Sequence, residues 1–424
     1  MYLEVIGKQV PNGIIRVSGA KNSATRLMAA ALLTQERVHL DNFPTELVDV
    51  KVKGGFLSAT GISVATDSKR ETIEICANEM DVDKLDHYHY PIRTTYLLVA
   101  GQLLRKGEAR IPYPEGCKIG NRKYDLHVMV WEKMGCRVEE LDDHIHICGN
   151  LTGAEIAFPF PTVGGTENVL LCSSIAKGTS TIRNAYISPE VNDLIRLLSL
   201  MGAEIQVLGN SQIRVKGKES LRGASYRIMP DRIEALTWIV YAVLSRGTIL
   251  IEDVPFDTME VPLIHLQEAG IDLFKNSSSV YISPGCLQNR TIQPFELACG
   301  THPGIISDMQ PFYVLLGLKA DGRSRIIDYR YPGRTMYLTE LAKMCPPGSL
   351  EWSPTGEIIT KGPANMRGSA VDSTDLRGSM AVLIAGLLAK GTTTVGNVDM
   401  ALRGYNKLAD KLSKLGIQYR MYDD

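Results

Sequence analysis

The chain has no apolar run near the roughly 20 residues that a membrane-spanning helix needs. Its start, MYLEVIGKQV, has neither the basic residues nor the apolar stretch of a secretory signal. Eight cysteines are spread over 424 residues without a CxxC pair. That pattern argues against a disulfide framework and for reduced thiols in the cytoplasm. GxxxxGK[ST], HExxH and the Rossmann GxGxxG are all absent. NTP hydrolysis, zinc proteolysis and dinucleotide redox chemistry therefore lose their usual sequence support. Charge of one sign is lacking too: the formal net charge is -1, so no global field favours nucleic acid or membrane. What is present is 44% hydrophobic residues over a length that exceeds one core, so two domains are expected.

The strongest internal signal is repetition. One unit reads as a helix end, a tight turn and an alternating strand: ALLTQERVHL, QLLRKGEARI, SIAKGTSTIR, VLSRGTILIE, LKADGRSRII and LLAKGTTTVG. The turn falls at Glu36, Gly107, Gly178, Gly247, Gly322 and Gly391, at spacings of 71, 71, 69, 75 and 69 residues. A second unit lies between these copies, with its turn at Gly61, Gly135, Gly202, Gly270 and Gly416 and with Cys345 in the fifth place. Glycine there predicts a left-handed residue at a helix C-terminus. Six repeats of two helices and several strands divide into three and three, and polar KGKESLRGASYR (216–227) marks the expected divide.

Several motifs break the repeat. SGAKNSA (18–24) places Lys21 and Asn22 at a helix start, where free N–H groups suit an anion; a solvated lysine is the plainer alternative. YPEGCKIGNRKYDLH (113–127) sets Cys117 between glycines and beside Lys118 and Arg122. Cations near a thiol on a polar loop favour the reactive thiolate, whereas most free cysteines are buried small hydrophobes. In HPGIISDMQ (302–310), Asp308 reads locally as a helix N-cap, with a general base as the sharper alternative. Arg93, Arg334, Arg377 and Arg403 recur just before helices of the repeat. Together with Lys21 and Arg122 they suggest a cationic cleft for a small, multiply anionic substrate. HIHIC (144–148) and HYHY (87–90) contain possible metal ligands, but ordinary strand and loop histidines account for them.

Collinear motifs carry a resemblance over the whole chain: SGAKN at 18–22, GC.IG.R..DLH at 116–127, TVGGTEN at 162–168, PDRIE at 230–234, HPG...DMQ at 302–310, TDLR at 374–377 and RGY at 403–405. In this order they resemble the UDP-N-acetylglucosamine enolpyruvyl transferases of the enolpyruvyl (1-carboxyvinyl) transferase family. The resemblance implies an α/β (α+β) inside-out barrel of two domains, each of three βαβαββ repeats. Residues 21–229 would form one domain, and 1–20 with 230–424 the other, with the active site in the cleft between them. It implies transfer of the enolpyruvyl group of phosphoenolpyruvate to the 3-hydroxyl of UDP-N-acetylglucosamine through a tetrahedral ketal, without metal or cofactor. Lys21, Arg122 and Arg403 would hold the phosphate of phosphoenolpyruvate, and Arg334 and Arg377 its carboxylate. Cys117 resembles the loop cysteine that protonates the enol carbon and that the epoxide fosfomycin alkylates. Asp308 would accept the hydroxyl proton. Asn22, Arg93, Arg122, Asp125, Leu126, Thr162, Val163, Gly164 and Arg330 would face the UDP-sugar.

The sequence also departs from the family pattern. The Cys117 loop reads YPEGC and RKYDLH, with Glu115 and Lys123 where small or proline residues are usual. IIS precedes Asp308, RTT surrounds Arg93, and Gly333 stands where asparagine normally precedes the arginine. These changes lie on the acceptor side and leave the phosphoenolpyruvate residues intact. The alternatives are therefore a relative acting on another nucleotide or nucleotide sugar, or a ligand-binding regulator without turnover. The sister family acting on shikimate 3-phosphate fits Cys117 and TVGG less well.

Overall fold

The computed structural model describes residues 1–81, 92–113 and 124–423. The chain forms two compact units. One takes residues 1–18 and 230–423; the other takes the described residues between 19 and 229. Each unit has its own hydrophobic core. The chain passes from the second unit to the first between 229 and 230, just beyond the polar stretch 216–227, whose strand Ala224–Arg227 pairs in parallel with Val38–Asp41 inside the second unit. Its alternating burial suits a half-covered edge strand rather than a linker.

Five of the six small sheets follow one scheme, and the sixth, of Glu108–Pro112, His144–Cys148 and Arg137–Glu140, has no parallel first strand among the described residues. A first strand lies parallel to a second, and a third and fourth return as a hairpin, with the fourth beside the second. Glu155–Ala157, Thr179–Arg183, Glu204–Leu208 and Gln212–Lys216 show the pattern within one stretch of chain. In two sheets of the first unit the N-terminal residues supply the missing member. Tyr2–Ile6 pairs between Thr392–Gly396 and Tyr419–Tyr422, and Asn12–Arg16 pairs beside Thr248–Glu252. The glycines of the second repeat unit follow helix C-termini and lead into the hairpins: Gly61, Gly135, Gly202, Gly270 and Gly416 all have positive φ. The left-handed backbone expected at that position is therefore present in all five.

The two helices of a repeat differ in composition, and composition sets their place. Arg232–Ser245, Gln310–Lys319 and Leu376–Leu388 are apolar nearly all round, and all three are buried along most of their length. They pack on one another at the centre of the first unit. Glu260–Glu268 buries only Pro262 and Leu266, and so lies outside. The sheets cover this three-helix centre. The N-termini of the three central helices therefore come together, and with them the polar motifs that begin each helix.

Two glycine substitutions separate backbone strain from packing, because neither site has an atom within 4 Å of an added Cβ. Gly202 has φ 104° and Gly55 is an exposed helix-interior residue. Gly202→Ala should destabilise the fold by about 1–2 kcal/mol, and Gly55→Ala should stabilise it by about 0.5–1 kcal/mol. Urea unfolding checks both, and equal effects would contradict the assigned backbone.

Candidate active site

The first unit's polar centre is built from three aspartates at the starts of the three central helices. Asp231 caps Arg232–Ser245 by accepting from Ile233 N–H (2.8 Å) and Glu234 N–H (3.1 Å). Asp375 caps Leu376–Leu388 by accepting from Arg377 N–H and Gly378 N–H, both at 3.1 Å. The third helix, Gln310–Lys319, has Met309 at its N-cap and no side-chain cap. Asp308 lies one residue before that position. The local expectation that Asp308 is a cap is thus incorrect: a shift of one residue turns its carboxylate away from its own helix.

That carboxylate meets two arginines instead. Arg334 donates from Nη1 to Asp308 Oδ1 (2.7 Å) and to the Ser307 carbonyl (2.9 Å), and from Nη2 to Asp375 Oδ1 (2.7 Å). Arg377 donates from Nη1 to the Gly404 carbonyl (3.2 Å) and from Nη2 to Asp231 Oδ2 (3.4 Å). Its Nε lies 3.6 Å from Asp308 Oδ2. Arg334 and Arg377 are 3% and 0% exposed, and Asp308 is 27% exposed. Burial opposes the charge on Arg334, but Asp375 and Asp308 more than offset it and raise its pKa. For Arg377 burial is likewise outweighed, chiefly by Asp231. The Tyr405 ring lies 5.1 Å from the Arg377 guanidinium. Arg403 is buried beside Gly404, with Nη1 3.9 Å from Met400 Sδ. Arg330 belongs to a turn held by Asp328, whose Oδ1 accepts from its N–H (3.0 Å) and from Ser307 Oγ (2.8 Å).

In the second unit Lys21 opens the helix Lys21–Ala30 and pairs with buried Asp49 at 3.1 Å. Asn22 follows it, half-buried. Asp125 and Leu126 open the helix Asp125–Lys133. Thr162 caps Val163–Ser174 by accepting from Gly165 N–H at 3.4 Å. These two helices pack together, and His127 joins them. Its ring stacks on Tyr96 at 4.3 Å, and a Cβ at Gly164 would lie 3.3 Å from it. The Arg93 guanidinium lies 5.9 Å from the same Tyr96 ring. Arg93 and Gly164 are thus assembled around one aromatic pair, and Leu126 precedes His127 on its helix. Burial, then the nearby Arg93, brings the His127 pKa down to about 3.

Cys117 and Arg122 lie outside the described residues, as do His87 and His89. A broad depression of about 1540 Å³ in the second unit, lined by residues such as Thr34, Arg105 and Arg222, contains none of these residues. His146 donates from Nε2 to Glu108 Oε2 at 2.9 Å, and no cluster of metal-ligating side chains occurs among the described residues. Asp231, Asp375, Tyr405, Asp49 and His127 were not singled out from sequence. The two capping aspartates stand inside PDRIE and TDLR, where an acidic residue before a helix reads as a cap and nothing more.

A family model described as EPSP synthase (3-phosphoshikimate 1-carboxyvinyltransferase) matches residues 6–412. The UDP-N-acetylglucosamine 1-carboxyvinyltransferase of Beijerinckia indica subsp. indica is 34% identical over 98% of this chain and 97% of its own length. The protein of the same name from Methylocella silvestris is 35% identical over the same shares. Among solved structures, the enolpyruvyl transferase NikO from Streptomyces tendae matches with a TM-score of 0.87 and 25% identity, over 99% of this chain and 98% of its own. EPSP synthase from Acinetobacter baumannii matches with a TM-score of 0.76 at 15% identity over 99% of each chain, a likeness of fold alone.

The His127 environment has a consequence for stability. The unfolded chain takes up a proton at this ring near pH 6.5, and the folded chain only near pH 3. Stability from this group is therefore complete above about 6.5 and falls as pH drops toward 3, by about 1.4 kcal/mol per pH unit. His127→Phe should flatten this part of the curve in urea melts between pH 7 and 4. An unchanged slope would overturn the assignment.

Proposed function

The chain belongs to the enolpyruvyl (1-carboxyvinyl) transferase family, and on that premise we propose that it transfers the enolpyruvyl group of phosphoenolpyruvate to the 3-hydroxyl of UDP-N-acetylglucosamine. The reaction releases phosphate and is the first committed step of peptidoglycan precursor synthesis, in the cytoplasm. The names of the 34–35% identical relatives support this acceptor. The observation that carries the reading is the pair of buried arginines set around one partly exposed aspartate.

Each residue then has a chemical task. Arg334 and Arg377 take the phosphoenolpyruvate carboxylate; a guanidinium has five N–H donors, and Nε of Arg334 has no hydrogen-bond partner among the described residues. Lys21, Arg122 and Arg403 take the phosphate. The Cys117 thiol gives its proton to the methylene carbon, and the sugar oxygen attacks the adjacent cationic carbon. Asp308 accepts the hydroxyl proton in that step. The tetrahedral ketal then loses a methyl proton and phosphate, which restores the double bond. Burial already fixes both arginines before substrate arrives, so little ordering is left to the reaction itself. Asn22, Arg93, Arg122, Asp125, Leu126, Thr162, Val163, Gly164 and Arg330 serve the UDP-sugar. The free N–H groups at the starts of Asp125–Lys133 and Val163–Ser174 suit its diphosphate.

A second reading keeps the donor and replaces the acceptor with another nucleotide or nucleotide sugar. It is favoured by Glu115, Lys123 and Gly333 on the acceptor side, where this chain departs from the family pattern.

Phosphate release separates these readings. The protein is incubated with phosphoenolpyruvate and, in turn, UDP-N-acetylglucosamine, UMP and shikimate 3-phosphate. Turnover with the first is expected, turnover with another alone would replace the acceptor, and silence with all would sink the transferase reading. In the same assay Asp308→Asn should lower kcat by about 10²- to 10⁴-fold, the usual contribution of a positioned base. A loss below about three-fold would remove Asp308 from the chemistry.

A further inference from the structure

The second unit holds a buried lysine that the proposed mechanism leaves unused. Lys53 lies on the helix Val48–Ala59 and is 3% exposed. Its Nζ donates to the Thr25 carbonyl at 2.6 Å and to the Thr94 carbonyl at 3.4 Å. Thr25 is one turn beyond Lys21 on the same helix, and Thr94 is the neighbour of Arg93. Asp49, one turn before Lys53, holds Lys21 itself. Two residues four apart on one helix therefore grip two positions four apart on the other, one through an ion pair and one through a carbonyl.

We infer that Lys53 is a positioning residue of the transferase site, its amine fixing the helix that opens with Lys21 against the segment that opens with Arg93. The inference rests on the transferase reading above. A long side chain is kept out of water here without a carboxylate in contact among the described residues, which is costly unless its hydrogen bonds define a geometry. Backbone carbonyls are the groups it holds, so its effect falls on where segments lie.

The surroundings make this strut sensitive to pH. Arg26 is paired with Glu167, Nε to both carboxylate oxygens at 2.9 and 3.0 Å, and Lys21 is paired with Asp49. Lys53 thus lies beside two ion pairs and hydrogen-bonds to carbonyls. Burial first, then Arg26, brings its pKa down to about 7, against the pull of Glu167 and Asp49. Glu190 faces the group from beyond Glu167, and Arg93 from beside Thr94. The strand Ser63–Asp67 also packs on this helix, and its one titratable residue, Asp67, is turned to the N–H groups of Lys69 and Arg70. Below about pH 7 the charged amine grips both carbonyls; above it the grip weakens.

The test measures KM for UDP-N-acetylglucosamine at saturating phosphoenolpyruvate from pH 6 to 8.5, together with its dissociation constant by calorimetry. The diphosphate diester keeps one charge state across this range. In the unaltered protein KM should rise through a break near pH 7. Lys53→Met should show a flat, high KM, raised on the order of ten-fold at pH 6, with the loss falling on KM more than on kcat. Glu167→Gln removes a carboxylate that favours the charged amine, so the break should move to lower pH. It keeps the test open if Lys53→Met does not fold. A break that survives unmoved in either variant overturns the inference. An unaltered protein that turns over no acceptor instead sinks the transferase reading, and this inference falls with it.

Discussion

Two arginines bound to three aspartates hold the first unit's polar centre together. Arg334 joins Asp308 to Asp375, and Arg377 joins Asp308 to Asp231. Each aspartate begins a central helix, so the two guanidinium groups tie three helix N-termini to one another. Breaking such a pair by removing one partner leaves a buried charge uncompensated, a loss of about 3–5 kcal/mol. The arrangement is therefore rigid, and substrate recognition is built into groups that folding already requires. The same economy appears in the second unit, where Asp49 and Lys53 hold the Lys21 helix and Glu167 holds Arg26.

A one-residue difference between repeats separates support from chemistry. Asp231 and Asp375 spend carboxylate oxygens on helix N–H groups. Asp308 stands one position earlier and does not. Its own helix starts with Met309 at the cap and a proline in its first turn, so one of the N–H groups needing a partner is absent. Relieved of capping, the carboxylate can face the arginines and solvent at once.

The architecture was largely legible in the sequence because it repeats. Six copies, five of them with glycine at the turn, predict helix–turn–strand units, and the positive φ at Gly61 through Gly416 follows. Arg334 and Arg377 were legible as arginines in small-residue surroundings. Their partners were not, since an aspartate before an apolar helix has the same local signature whether it caps, clamps or reacts. Lys53 was hidden for another reason: VDVKVKGGFL has the look of a solvated helix face, and only packing against Thr25 and Thr94 buries the fifth lysine atom that matters.

The closing of the first unit by its own N-terminus sets an order of events during synthesis. Leu3 pairs with Val395, so the strand Tyr2–Ile6 leaves the ribosome and waits for partners made roughly 390 residues later, some tens of seconds at usual elongation rates. All strands of the second unit's sheets arise within that interval. The inserted unit can therefore fold on the nascent chain while two alternating strands, with Ile6 and Ile14 facing outward, remain unpaired templates. That window is when this protein is most open to misassembly and to capture by chaperones.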